Sequence, residues 1–180
     1  WWKCGKAEDH QWKASLKNRS KVSGCPMCAG KKVVKSNCLA TLNPTLAKEW
    51  HPTKNGNLTS SDVSKADTKK VWWKCNKADD HEWESTVANR SQGRSCPICA
   101  GHKVVKSNCL RTIYPELAKE FHRTKNGVLT ADNISAGSDK LIWWQCTKNK
   151  THYWRTTALN RFRHRTNCPY CTLTPQSKQE

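Results

Sequence analysis

The chain has 180 residues, 36% of them hydrophobic, with 11 Cys and 10 Trp, and a formal charge of +18 from 32 Lys and Arg against 14 Asp and Glu. A mean hydropathy of −0.88 and an isoelectric point near 9.6 exclude one large apolar core and point to a polyanionic partner, nucleic acid before an anionic membrane. No run of about 18 apolar residues and no charged-then-apolar leader is present, so neither a membrane-spanning helix nor a signal peptide is expected.

Because the chain opens on Trp1 and has its only methionine at Met27, it is expected to be a processed protein or a piece of a longer one. The opening Trp1-Trp2-Lys3-Cys4 returns as Trp72-Trp73-Lys74-Cys75 and as Trp143-Trp144-Gln145-Cys146, a period of 71 residues. Between residues 31–59 and 102–130, 21 of 29 positions are identical, which only duplication explains. The repeat gives modules over 1–71, 72–142 and a truncated 143–171. Residues 172–180 are expected to form a polar tail without fixed structure.

Each module opens on a strand. In Val71-Trp72-Trp73-Lys74-Cys75 alternation places Val71, Trp73 and Cys75 on one face and Trp72 and Lys74 on the other. His81, Trp83 and Ser85 share a face in the same way, which makes a β-hairpin carrying one Cys and one His. Asp9, or Asp79-Asp80, suits its loop. A Cys-Pro-x-Cys turn follows and aims two sulfurs and nearby backbone N–H groups at one point.

The aligned set is Cys4, His10, Cys25, Cys28; then Cys75, His81, Cys96, Cys99; then Cys146, His152, Cys168, Cys171. Three thiolates and one imidazole are ligands that tetrahedral zinc prefers, and a closed set of four is structural, with no position left for a substrate. Three zinc ions per chain are expected. An odd total of 11 Cys and the lack of a secretory signal weigh against a disulfide scaffold, and the recurring His weighs against an all-cysteine iron–sulfur cluster. Cys38 and Cys109, without a counterpart in the third module, read as small buried thiols.

After each knuckle comes a 43-residue spacer. Leu42, Leu46 and Trp50, matched by Ile113, Leu117 and Phe121, lie at i, i+4 and i+8 and predict one helix, with Pro44 or Pro115 in its first turn. Asn55-Gly56 and Asn126-Gly127 mark the turn that follows. The helix is expected to pack on the next hairpin and cover its Trp residues. A buried Trp–Leu contact is worth a few kcal/mol at roughly 25 cal/mol per Å², and a structural zinc supplies about 10 kcal/mol or more.

Trp-Trp-Lys-Cys, the His-x-Trp that follows, Cys-Pro-x-Cys-Ala-Gly and Leu-Ala-Lys-Glu-Trp-His-Pro-Thr-Lys-Asn-Gly of residues 46–56 together resemble the repeated zinc-ribbon, treble-clef-like domain family. The resemblance covers residues 1–171. It implies small α+β zinc-stabilised modules in tandem, each a β-hairpin with a Cys-Pro-x-Cys knuckle and joined by a spacer helix, with zinc at the twelve positions above. It also implies an association with nucleic acids. The chain departs from the repeated pattern at Phe121 and Arg123, where the first copy has Trp50 and Pro52, and in the missing third spacer.

Charge is uneven, +9 over residues 1–71, +3 over 72–142 and +6 over 143–180. Nine thiolates and three Zn²⁺ leave about +15 when metal is bound. Arg19, Arg90 and Arg161 recur before each knuckle, where they could contact phosphate or hold the knuckle internally. Lys31, Lys32 and Lys35, then Lys103 and Lys106, follow the knuckles. Arg161, Arg163 and Arg165, with Phe162 and His164, form the densest basic cluster. Trp1, Trp72 and Trp143 could stack on unpaired bases or lie under the spacer helix.

Glu49 with His51 and Glu120 with His122 lack a second carboxylate or an open metal position, so they read as helix-end hydrogen-bonding groups. The chain is therefore expected to be a non-enzyme in an intracellular, reducing compartment, with no membrane or small-molecule substrate. Its expected role is binding RNA or DNA, as a DNA-targeting module or a component of a ribonucleoprotein such as a ribosome. A zinc-stabilised scaffold for an acidic protein partner is the alternative.

Overall fold

The computed structural model describes residues 1–20 and 24–172; the expected polar tail, from 173 on, lies outside the described residues. Two units divide the chain, Trp1–Cys96 and Pro97–Glu180. Among the described residues no helix is long and apolar enough to cross a membrane.

Three antiparallel hairpins recur at the sequence period: β1 (Trp2–Lys3) with β2 (Gln11–Trp12), β3 (Lys70–Lys74) with β4 (Glu82–Thr86), and β5 (Leu141–Gln145) with β6 (Tyr153–Thr157). In the second, Trp73 pairs with Trp83 and Val71 with Ser85. Val71, Trp73 and Cys75 are buried, as strand alternation dictates. The third hairpin repeats the register, Trp144 opposite Trp154. Each inner Trp donates its indole N–H to a carbonyl across the hairpin, Trp2 to Ala14, Trp73 to Ser85 and Trp144 to Thr156, at 2.9 to 3.0 Å. A large apolar ring can thus be buried with its one polar atom satisfied.

A short helix leaves every hairpin: α1 (Leu16–Ser20), α4 (Val87–Ser91) and α7 (Ala158–His164). A hydroxyl starts each one. Ser15, Thr86 and Thr157 accept from the backbone N–H of Asn18, Asn89 and Asn160, satisfying one of the donors that a helix start leaves open.

The spacer differs from the single helix expected from the apolar stripe. It holds a 3₁₀ turn at Lys35–Asn37 and two helices, α2 (Leu39–Leu42) and α3 (Pro44–Ala47). The second copy has a 3₁₀ turn at Lys106–Asn108, then α5 (Leu110–Ile113) and α6 (Pro115–Lys119). The break falls on Asn43 (φ −145°, ψ 74°) and Tyr114 (φ −138°, ψ 75°), because a following proline excludes the α conformation at the residue before it. Leu42 and Ile113 consequently leave the stripe and are exposed, whereas Leu46 is buried.

Packing follows the repeat with a shifted phase. Trp50 pairs as an isolated bridge with Trp73, and Phe121 with Trp144. The aromatic rings meet edge-on at 5.4 and 5.9 Å. The bonds His51 N–H to Trp72 O and Lys74 N–H to Glu49 O make Glu49–His51 a third, very short strand beside β3. Asn55 secures the same edge, accepting from Trp72 N–H (2.8 Å) and donating to Trp72 O (3.0 Å), and Asn126 does so for Trp143. The spacer is therefore the cover of the hairpin that follows it. In the unit Pro97–Glu180 the core comprises Leu110, Ala118, Ala131, Ile134, Ile142, Trp144, Trp154 and Ala158 together with Cys146 and Cys168.

Candidate metal centres

One Cys comes from the end of the first hairpin strand, the His opens the second strand, and two Cys come from the knuckle. Cys4 N–H bonds His10 O, Cys75 N–H bonds His81 O and Cys146 N–H bonds His152 O, at 2.9 to 3.0 Å, so the hairpin ladder itself fixes the Cys–His pair. In the first knuckle Ala29 N–H bonds Cys25 O and Lys31 N–H bonds Pro26 O. Asn37 then binds it from below, its Nδ2 donating to Met27 O and Lys32 O, with Asn108 repeating this on Ile98 O and Lys103 O.

The twelve expected ligands come together in three clusters: Cys4, His10, Cys25, Cys28; Cys75, His81, Cys96, Cys99; and Cys146, His152, Cys168, Cys171. Within each, the ligand atoms lie within 4.8 Å of one another. A zinc tetrahedron with Zn–S near 2.3 Å and Zn–N near 2.05 Å has S···S edges of about 3.75 Å and S···N edges of about 3.5 Å. Measured edges are 3.7 Å for Cys4–Cys28 and for Cys146–Cys171. Those to His10 Nδ1 are 3.6 and 3.4 Å, those to His152 Nδ1 are 3.6 and 3.5 Å, and Cys96 to His81 Nδ1 is 3.9 Å. The donor sets therefore fit zinc through Nδ1, with four protein ligands and no open position.

The charges make the same case. Burial, then the neighbouring Cys4 and Cys25, push the Cys28 thiol up to about 11; Cys168, burial and Cys146 push Cys171 up to about 11. Burial also acts to raise Cys25, but the backbone N–H groups of Cys28 and Met27 and the neighbouring thiols outweigh it and leave that thiol lowered. Three thiolates this close repel one another, and a divalent cation removes the conflict. Cys38 and Cys109 take no part. Both are buried, each with its sulfur 3.3 Å from a backbone carbonyl and from a threonine hydroxyl.

The family model described as a probable treble clef zinc finger domain matches residues 1–31, 46–102 and 117–174. The chain belongs to this family. Among curated proteins none matches the chain. The second and third matched segments begin in the spacer and run through the next knuckle, the same phase in which the treble clef modules pack. The chain thus carries three Cys₃His zinc sites in tandem treble clef modules of small α+β form.

The recurring arginines belong to the interior of these treble clefs. Arg90 and Arg161 are only 8% and 5% exposed. The guanidinium carbon of Arg90 lies over Trp73 and Trp83 (5.4 and 5.3 Å), and that of Arg161 over Trp144 and Trp154 (5.0 and 5.1 Å). Arg90 pairs with Glu49 and donates to Arg94 O; Arg161 pairs with Glu120 at 2.6 Å. The expectation that these two meet phosphate does not fit, because their charge is spent inside the module. Arg19 is half-buried over Trp2 and Trp12, at 4.9 and 5.5 Å. By contrast Lys31, Lys32, Lys35, Lys103, Lys106, Arg163 and Arg165 are exposed.

Trp72 and Trp143 are half-buried, with Lys54 Nζ 4.6 Å and Lys125 Nζ 5.5 Å from their ring centres. The buried His51 accepts at Nδ1 from Thr53 and Lys54 N–H, and Nε2–H donates to Glu82 Oε1 at 3.0 Å. Lys54 and His51 hold the Glu82 carboxyl down at about 2. In the third module Tyr153 occupies that place and His122 meets its ring edge-on at 6.2 Å. The sequence pattern assigns no role to Glu82 or Asn37 and only a turn to Asn55, which also holds the hairpin edge. Asn37 and Asn55 do recur as Asn108 and Asn126, a signal that was available.

The third module has one extra residue between His152 and Cys168. Helix α7 runs seven residues against five in α4, and Arg165 ends it in the left-handed region at φ 45°. The edges of the metal cluster are those of the first module.

Proposed function

We propose that the chain is a non-catalytic nucleic-acid-binding array of treble clefs that contacts the phosphate backbone. The observation that carries this reading is the exposure of Lys31, Lys32 and Lys35 just after the first knuckle, repeated by Lys103 and Lys106 after the second, with Arg163 and Arg165 exposed in the third module. Recurring cations at one place in successive modules present separated weak phosphate contacts, and linkage makes them act together. The metal-loaded charge of about +15 supports the same reading. RNA and DNA both offer this backbone.

The test is a titration of the zinc-loaded chain against single-stranded RNA, duplex RNA and duplex DNA at two salt concentrations. Affinity is expected to fall by roughly 0.7–0.9 log units per log unit of salt for each phosphate neutralised. Replacing Lys31, Lys32, Lys35, Lys103 and Lys106 by Gln should lower both affinity and salt slope and leave zinc content at three. No binding to any of the three at low salt would refute the reading and favour the scaffold for an acidic protein.

A further inference from the structure

The third module breaks local rules of chain structure that the second module keeps. Where the second carries Asn43, whose side chain accepts from Leu46 N–H at 3.1 Å at the start of α3, the third carries Tyr114, which starts α6 without such a bond. Ser91 at the end of α4 is matched by Phe162, which is 41% exposed. The chain then leaves the helix in the left-handed region at Arg165 (φ 45°), where the second module uses Gly93 (φ 89°). A cap is given up, an apolar ring faces water and a long side chain takes a backbone conformation that suits glycine, so each change costs the fold locally. Departures of this kind gather at functional sites.

The three changed residues meet. Tyr114 and Phe162 lie ring to ring, with centroids 4.9 Å apart and planes at 42°, and together with Ile113, Leu117 and Arg165 they line a hollow of about 510 Å³. Sites for small ligands span about 300–1,000 Å³. Two carboxylates also reach the hollow, but Glu120 is paired with Arg161 and Glu116 with Lys119. Among the described residues Arg165 has no carboxylate partner, so uncompensated positive charge stands beside apolar walls. The corresponding face of the second module, which has chain continuing on both sides, is open as well: Leu42 is 51% exposed against 46% for Ile113.

We propose that this hollow of the third module seats one unpaired nucleobase of a single strand. The base stacks against the exposed ring of Phe162, which Tyr114 backs, and Arg165 donates to the adjoining phosphate. A planar heterocycle bearing an anion matches both halves of the site, the aromatic wall and the arginine without a partner. A duplex keeps its base faces stacked inside, so the seat favours single strands. The proposal rests on the phosphate-backbone reading above and sharpens it to a preference for unpaired strands. The second module, with Asn43 and Ser91, offers no aromatic ring at these positions.

The probes are a labelled single-stranded RNA of mixed sequence, the same strand in a duplex, and an abasic strand of equal length, each titrated with the full zinc-loaded chain and followed by fluorescence anisotropy. The double variant Tyr114→Asn, Phe162→Ser carries the residues with which the second module folds, so its zinc content should stay at three. Its affinity for the single strand should fall about fivefold or more, its affinity for the duplex by less than about twofold, and the abasic strand should bind parent and variant alike. Phe162→Ser alone, at an exposed position that leaves the start of α6 unchanged, should cost about threefold or more on the single strand. Arg165→Gln should lower the salt slope on the single strand by about 0.7, whereas the aromatic variants should leave that slope as it is. Unchanged single-strand affinity in the aromatic variants, or an equal loss on the duplex, would overturn the seat and leave the phosphate reading standing. No binding of any nucleic acid to the parent chain at low salt would overturn both. Self-association of the chain that Phe162→Ser abolishes would give the hollow to a second copy and likewise overturn the assignment.

Discussion

Replacing Arg161 by Ala is expected to damage the third module far more than replacing Arg163, two residues along the same helix. The Arg161 side chain is 4% exposed and pairs with Glu120, itself 23% exposed. Its guanidinium covers the two indoles Trp144 and Trp154. Each desolvated cation–π contact is worth about 1–2 kcal/mol. Glu120 can turn partly to water once unpaired, so its share lies nearer 1–2 kcal/mol than the 3–5 of a fully buried pair. Together the loss is about 3–6 kcal/mol.

Arg163 is exposed, and its removal should stay within about 0.5 kcal/mol. Both substitutions remove one positive charge, so net charge cancels in the comparison. The assay is urea unfolding at buffered free zinc, read by tryptophan fluorescence. A double-mutant cycle with Glu120→Gln should return a coupling of about 1–2 kcal/mol. Equal stabilities for the two arginine variants, or an additive cycle, would refute the buried stack as a structural element.

Other outcomes follow from the metal centres and their surroundings. Metal analysis should return close to three zinc equivalents per chain, and Cys96→Ser should lose about one; a value of one or none for the parent chain, with free-thiol counts intact, would refute the ligand assignment. The Cys38→Ser, Cys109→Ser double variant should keep all three equivalents, and a loss of two would show that the fourth ligands were wrongly assigned. His122 should titrate below its ordinary value of about 6.5, because burial and then Lys125 disfavour its charged form. Its folded value is depressed, so the stability it contributes is present above about pH 6.5 and fades as pH falls below it. An NMR midpoint at or above 6.5 would refute this.

The ligand sets were legible because zinc needs particular atoms at particular spacings, and the threefold repeat showed the same spacing each time. Hairpin faces were legible too, since Val71, Trp73 and Cys75 alternate with Trp72 and Lys74. The spacer was misread at Asn43, where the apolar stripe of Leu42, Leu46 and Trp50 outweighed the local restriction imposed by Pro44. The fate of Arg90 and Arg161 was hidden for a different reason. Their carboxylate partners stand 41 residues upstream, and no local pattern links them. Glu49 and Arg90 do reappear at the same separation as Glu120 and Arg161, and a charge pair kept at constant distance through a duplication is readable as a contact. Exposure of the knuckle lysines belongs to packing and has no signature in spacing.

The residue added before Cys168 disturbs neither the 3.6 Å edge to His152 nor the 3.7 Å edge between Cys146 and Cys171. Left-handed backbone takes up the slack, at Arg165 in the third module and at Gly93 (φ 89°) after α4 in the second. These two modules are therefore clamped at both ends, with the adjustment in length taken between them. The stretch from the short helix to the knuckle can drift in length and chemistry from copy to copy without retuning the metal, which makes it the natural place to graft a foreign loop or label into the array.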